Sequence, residues 1–261
     1  MNMDVSATNP FGIEGYSAST YGDSFADVYD EWYADLDDAD FVAGIVAVLP
    51  STSVRILELG VGTGRLIEQL VAQRSPISDT IIGVDSSVPM LDVAATRTFP
   101  PNVTFQQCDF STSLPDGRFD LIFVGYNTLF NLPDEQAMSA CFRLVASRLA
   151  PHGIFAIDVV SPLPDKPGDH VAVRTMATSE VVLAISSHDA ASQRITGQFV
   201  QFTDGATARL RPWSVRYFTP AQLDALAVEA GLMLVTRHED GIGTSYTADS
   251  FRHVSRYSRA V

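Results

Sequence analysis

Cysteine is scarce: Cys108 and Cys141 are the only two in 261 residues. Two cysteines cannot build a disulfide framework, and neither stands at metal-ligand spacing. Both sit in apolar surroundings and are expected to be reduced core residues. Positive charge is scarce as well. Seventeen basic residues face 31 acidic ones, a net charge of −14. Such a surface repels phosphate backbones and anionic lipid, so neither nucleic acid nor membrane is expected as a partner. No apolar run approaches the roughly 18 residues a membrane helix needs. Residues 1–19 lack the basic start and apolar stretch of a secretion signal. A cytoplasmic protein is expected. The chain also lacks internal repeats, low-complexity tracts and a Gly-x-Ser-x-Gly nucleophile elbow, and no metal site is expected.

Apolar residues make up 46 % of the chain, enough for a sizeable core. The length suits one large α/β domain with additions. Residues 1–20 are rich in Ser, Asn, Gly and Ala and read as flexible. From Tyr21 to Leu49 the chain reads as helix, with Phe25, Val28, Tyr29, Trp32 and Tyr33 at helical spacing and Asp23, Asp27 and Asp30 between them. A second helix spans about Asp40 to Leu49. Residues 1–49 thus form a flexible N-terminus and a helical lid. From residue 50 onward, short buried strands alternate with helices: Val54–Leu59, Thr80–Val84, Val103–Gln107, Phe119–Val124 and Ile154–Val159 are the strands. That alternation predicts a doubly wound α/β fold with a mainly parallel sheet.

After Ser161 the pattern changes. Pro162, Pro164, Pro167 and Gly168 mark a linker. Then come three β-rich runs, 181–188, 194–202 and 206–218, separated by turn residues. Residues 165–218 are expected to be an antiparallel β insertion after strand five, covering an acceptor pocket. Thr219-Pro220 opens a helix that stops at Gly231. Two last strands follow, Leu232–His238 and His253–Arg259.

The first strand ends in Glu58-Leu59-Gly60-Val61-Gly62-Thr63-Gly64. Glycines let the backbone turn tightly and let a ligand approach it. The following helix opens with free N–H groups. A dinucleotide loop wants a third glycine three residues after the second. Counted from either glycine pair, that position holds Arg65 or Ile67. Glu58 also suits a ligand with a cationic end better than a pyrophosphate. Asp85, at the tip of the second strand, can accept both hydroxyls of a ribose. Asp109 and Phe110 end the third strand and suit an adenine amine and ring. The fourth ends in the loop Tyr126 to Leu132. Four polar strand tips share one sheet edge, where open parallel sheets bind ligands.

These motifs resemble the class I S-adenosylmethionine-dependent methyltransferases that modify small molecules. The likeness rests on Glu58 to Gly64, Asp85, Asp109, the run Phe119-Asp120-Leu121-Ile122, and the Pro151-His152-Gly153 turn. The run Tyr21 to Asp30 is similar to the lid of bacterial aminosugar N-methyltransferases. The resemblance implies a Rossmann-like, seven-stranded sheet with its last strand antiparallel, and S-adenosyl-L-methionine as cofactor. It implies Glu58, Gly60, Gly62 and Gly64 around the methionine part. Asp85, Ser86 and Met90 would hold the adenosine, and Asp109 and Phe110 the adenine. Tyr126 and Leu129 would line the sulfonium side, with Tyr21 and Tyr29 closing over the site.

The resemblance implies methyl transfer to a metabolite or natural product, at nitrogen or oxygen, driven by proximity and orientation. Two alternatives stay open: other chemistry with the same fold and cofactor, or a nicotinamide-dependent oxidoreductase. No catalytic base stands out; the candidates are Tyr29, Asn127, His238 and His253. His152 and His188 read as solvent-facing turn residues. Arg209, Arg211 and Arg216 read as surface charge. The chain is expected to be a monomer or a homodimer.

Overall fold

The computed structural model describes residues 9–161 and 167–260. Strands β1 (Arg55–Leu59), β2 (Thr80–Asp85), β3 (Val103–Gln107), β4 (Phe119–Val124) and β5 (Leu149–Val160) run parallel. Two later strands, β10 (Leu232–His238) and β11 (Arg252–Arg259), complete a seven-stranded sheet of order β10-β11-β5-β4-β1-β2-β3. Only β11 runs against the direction of the other six strands. This is the Rossmann-like plan expected from the strand–helix alternation.

Successive strand residues feed two cores because side chains alternate across a strand. Leu57, Leu59, Ile122 and Val124 join Phe142, Val145, Leu223 and Leu226 on one face. Those four partners come from α6 (Glu135–Arg148) and α7 (Pro220–Glu229). Ile56, Leu121 and Phe123 join Phe41, Ile45, Leu66 and Leu70 on the other, supplied by α3 (Ala39–Ala47) and α4 (Arg65–Arg74). Helix ends follow local chemistry. Asp134 caps α6 by accepting the Ala137 N–H, and Thr219 with Gln222 forms a capping box at α7. The remaining sheet helix, α5 (Val88–Thr96), packs beside β2 and β3.

Between β5 and α7 lies a separate antiparallel sheet of order β6-β7-β8-β9. Its strands are Gly168–Met176, Glu180–Asp189, Arg194–Thr203 and Arg209–Arg216. Three of them fall on the expected β-rich runs. The first, β6, lies where prolines point to a linker; its Val171 and Val173 gain strand structure only by pairing with Ile185 and Leu183. Residues 162–166 of the linker lie outside the described residues.

The lid departs from the continuous helix expected from Tyr21. It is two short helices, α1 (Thr20–Phe25) and α2 (Tyr29–Trp32), broken at residues 26–28. The aspartates at helical spacing stay exposed but each also bonds a residue outside the segment. Asp23 accepts from Ser87 Oγ at 2.7 Å, and Asp30 from Thr63 Oγ1 at 2.6 Å. Asp27 accepts from Arg211 on β9 at 2.7 Å. Three anchors, the N-cap of α5, the glycine loop and strand β9, bend the segment. Of the N-terminal segment, residues 1–8 lie outside the described residues, and residues 9–20 form turns with hydrogen bonds of their own. Asn9 Nδ2 donates to the Tyr16 carbonyl at 3.1 Å, and Ser214 Oγ donates to the Phe11 carbonyl at 2.6 Å.

Candidate functional site

The glycine loop leaves β1 and enters α4 in left-handed backbone. Gly60, Gly62 and Gly64 have φ of 67°, 54° and 81°, values that a side chain resists. A Cβ on Gly60 would also strike Thr128. Above this loop, between the sheet edge and the lid, lies a cavity of about 440 Å³, within the usual range for a small-molecule site.

The cavity gathers most of the residues singled out by sequence. Tyr21, Tyr29, Gly60, Gly62, Asp85 and Ser86 line it, as do Met90, Asp109 and Phe110. A small adjoining recess brings in Glu58 and Tyr126 with Tyr29 and Arg65. Two expected residues stand apart. Leu129 is fully buried below the turn that follows β4, in the core with Val124. Gly64 is the left-handed N-cap of α4, packed near Phe99.

Glu58 is 2 % exposed, and its Oε2 has no hydrogen-bond partner. Burial, and next the charge of Asp85, push its carboxyl well above the usual carboxylate range. Asp85 accepts from the Gly62 N–H and the Ser87 N–H, each at 2.9 Å. Burial raises its pKa, and these backbone bonds oppose the rise. Asp109 Oδ1 accepts from Ser111 N at 2.8 Å and Ser111 Oγ at 2.7 Å, an Asx turn that holds its carboxylate at the cavity wall.

The lid supplies an aromatic roof. Tyr21 stacks on Phe25 at 4.4 Å, and its hydroxyl bonds to that of Tyr33 at 3.2 Å. Burial raises the Tyr29 phenol to about 12 despite the opposing charge of Arg65. Burial raises Tyr21 well above its usual range too, so both hydroxyls stay protonated at neutral pH.

At the tip of β4, Tyr126 and Asn127 both take left-handed backbone, φ 51° and 63°, a strained pair for non-glycine residues. Asn127 is occupied structurally: Val160 N donates to its Oδ1 at 2.7 Å. Its own N–H donates to the Asp158 carbonyl at 3.1 Å. Arg252 clamps the Asp158 carboxylate with bonds of 2.7 and 3.0 Å. His253 is wholly buried, its Nδ1 bonded to Ser255 Oγ at 2.9 Å, and burial pushes its pKa down to about 4. His238 ends the edge strand β10. Neither histidine lines the cavity or the recess.

Two solvent expectations fail. His188 is buried and bonds through Nε2 to the Tyr217 hydroxyl at 2.9 Å. Arg211 is 1 % exposed and grips Asp27 and Gln201. Sequence reading missed the cavity residues Pro10, Phe11, Tyr16 and Ala18. The aromatic pair Phe11 and Tyr16, flanking turn glycines 12 and 15, is the signal that could have found them. Among the described residues no group of three or more His, Cys, Asp or Glu could hold a metal ion, and no helix is long and apolar enough to cross a membrane.

Comparison with known proteins agrees with this geometry. Residues 56–153 match the methyltransferase-domain family. The chain is 34 % identical to the CcbJ methyltransferase of Streptomyces caelestis, covering 94 % of this chain and 100 % of that one, with a TM-score of 0.84. It is 26 % identical to the cypemycin N-terminal methyltransferase of a Streptomyces species, over 89 % of this chain and 94 % of that protein. An S-adenosylmethionine-dependent methyltransferase of Clostridium acetobutylicum shares the fold, at 17 % identity, 91 % and 98 % coverage and a TM-score of 0.77.

Proposed function

Since the chain belongs to the class I S-adenosylmethionine-dependent methyltransferases, we propose that it holds that cofactor in the cavity under the lid and methylates an amine of a small molecule. The observation that carries this reading is Glu58 Oε2, a buried carboxylate oxygen without a partner. A buried charge costs several kcal/mol unless something pairs with it. It lies at the glycine loop, where a ligand's ammonium group would supply the missing donor. The residues present therefore fit the cofactor.

When bound, the cofactor supplies a methyl group already activated on a sulfonium. Glu58 and the N–H groups of the glycine loop hold its amino-acid end. Asp85, anchored by Gly62 and Ser87, keeps lone pairs free for the ribose hydroxyls. Asp109, Phe110 and Met90 surround the adenine. Tyr29, Tyr33 and Tyr126 close the acceptor side, exclude water and orient the nucleophile, which is what an in-line displacement needs. Burial raises the Tyr29 and Tyr126 phenols, and neither candidate histidine lines the cavity, so the acceptor reacts without a strong base from these side chains. A neutral amine meets that requirement better than a hydroxyl. The relative that acts on an N-terminus points the same way.

Mass spectrometry of a panel of amine-bearing and hydroxyl-bearing acceptors tests the proposal. Addition of one methylene unit to amines, with the cofactor demethylated in equal amount, is expected. Transfer confined to hydroxyl acceptors would replace the amine reading, and transfer of a different cofactor fragment would replace methylation itself.

A further inference from the structure

Arg65 is the first residue of α4, directly after the left-handed Gly64, and no side chain caps that helix end. A helix N-terminus carries partial positive charge, so a cation there is held against the helix dipole. Asp38, itself buried, offsets this by pairing with Arg65 Nη1. One carboxylate does not use up the five N–H groups of a guanidinium. Arg65 Nε is buried and has no hydrogen-bond partner among the described residues. The guanidinium also lies against the Tyr29 hydroxyl and over the Tyr126 ring, 6.0 Å from its centroid. These groups meet in the recess that adjoins the cavity beside Gly60 and Thr128. Its volume is about 30 Å³, room for one or two water-sized groups. Glu58 lines the same recess, and its Oε2 is the other buried atom there without a partner. One small space thus holds an acidic oxygen and a guanidinium N–H that do not satisfy each other. An ammonium alone would satisfy Glu58, and an anion alone would satisfy Arg65. A zwitterion satisfies both.

We propose that Arg65 takes the carboxylate of the cofactor's amino-acid end, opposite the ammonium on Glu58, and that this contact fastens the lid. The inference rests on the cofactor assignment above. Arg65 reaches the lid segment twice, at Tyr29 on α2 and at Asp38 just before α3. A guanidinium is a rigid planar fork, so a carboxylate on Nε fixes the orientation of its remaining N–H groups. Those groups are then held toward Tyr29 and Asp38. A ligand without the carboxylate leaves the fork free to turn. Order in residues 29–38 therefore follows the carboxylate and not the adenosine.

Calorimetry of the full chain with two ligands tests the inference. S-adenosylhomocysteine carries both charges; its decarboxylated analogue keeps the adenosine and the ammonium. Wild type is expected to bind the first roughly ten- to a hundredfold more tightly, the range for a charged hydrogen bond. Arg65→Gln is expected to lose most of that preference by binding S-adenosylhomocysteine more weakly, with little change for the analogue. Hydrogen exchange gives a second readout. Saturating S-adenosylhomocysteine is expected to slow exchange in residues 29–38 of wild type. The saturating analogue is not, and neither is S-adenosylhomocysteine on Arg65→Gln. If Arg65→Gln leaves Asp38 unpaired and fails to fold, Arg65→Lys keeps the charge beside Asp38 without the planar fork, and is expected to lose the preference in part. Equal weakening of both ligands, an undiminished preference, or protection of residues 29–38 without the carboxylate would overturn the proposal. In each of those cases, binding of the analogue to wild type leaves the cofactor assignment standing. Failure of both ligands to bind wild type would overturn that assignment as well.

Discussion

Glu58 shows what burying a carboxyl without a partner costs a folded protein. Its carboxyl is held far above the range it has in an unfolded chain, so the folded state binds that proton more readily. Its ionised form therefore destabilises the empty protein above about pH 4.5, and the penalty lessens as pH falls. Glu58→Gln keeps the shape without the charge. The variant is expected to melt higher than wild type at neutral pH in the absence of ligand, by calorimetry, while binding S-adenosylmethionine roughly tenfold more weakly or worse. His253 has the opposite sign. Its folded pKa, about 4, lies below its unfolded value of 6.5. The unfolded state takes up a proton first, so stability is lost as pH falls from about 6.5 to 4, by up to about 3 kcal/mol. His253→Gln is expected to flatten that part of the denaturation-versus-pH curve. A parallel curve for both proteins would show that His253 is not the titrating group. Glu58, Asp85 and Asp109 were legible in the sequence because each ends a strand beside its own turn. Asp158 and Arg252 were not, since they meet across 94 positions of chain.

Among the elements, the sheet strands were legible because short apolar runs bounded by glycine and proline announce buried parallel strands. The lid's helical character was legible too, but its break was not. Aspartates at helical spacing look like a wet face until their partners are known, and Arg211, Ser87 and Thr63 come from distant parts of the chain. The same blindness made Arg211 look like surface charge. Asp27 and Arg211 are thus a latch between lid and insertion, and the Arg211 guanidinium holds the Asp27 carboxyl below its usual range. Asp27→Ala leaves a buried guanidinium with Gln201 and the Ser24 carbonyl as remaining partners. Faster proteolysis and hydrogen exchange in residues 20–33, and a several-fold higher KM for the cofactor, are expected. Exchange unchanged from wild type would mean that the latch does not hold the lid.

For the whole molecule, the negative surface and the enclosed cavity act together. An excess of 14 negative charges draws cations toward the protein, and both the proposed amine acceptor and the proposed cofactor's sulfonium carry positive charge in solution. In the proposed reaction the aromatic roof would then exclude water from the reacting atoms. The sheet edge that binds ligands in open α/β folds supplies Glu58, Asp85 and Asp109 from three adjacent strands. Titration calorimetry of the intact chain with S-adenosylhomocysteine, and separately with NAD, tests this assignment most directly. One S-adenosylhomocysteine per chain is predicted, with binding weakened roughly ten- to a hundredfold in Asp85→Ala and no heat from NAD. NAD binding without S-adenosylhomocysteine binding, or full affinity in Asp85→Ala, would contradict it.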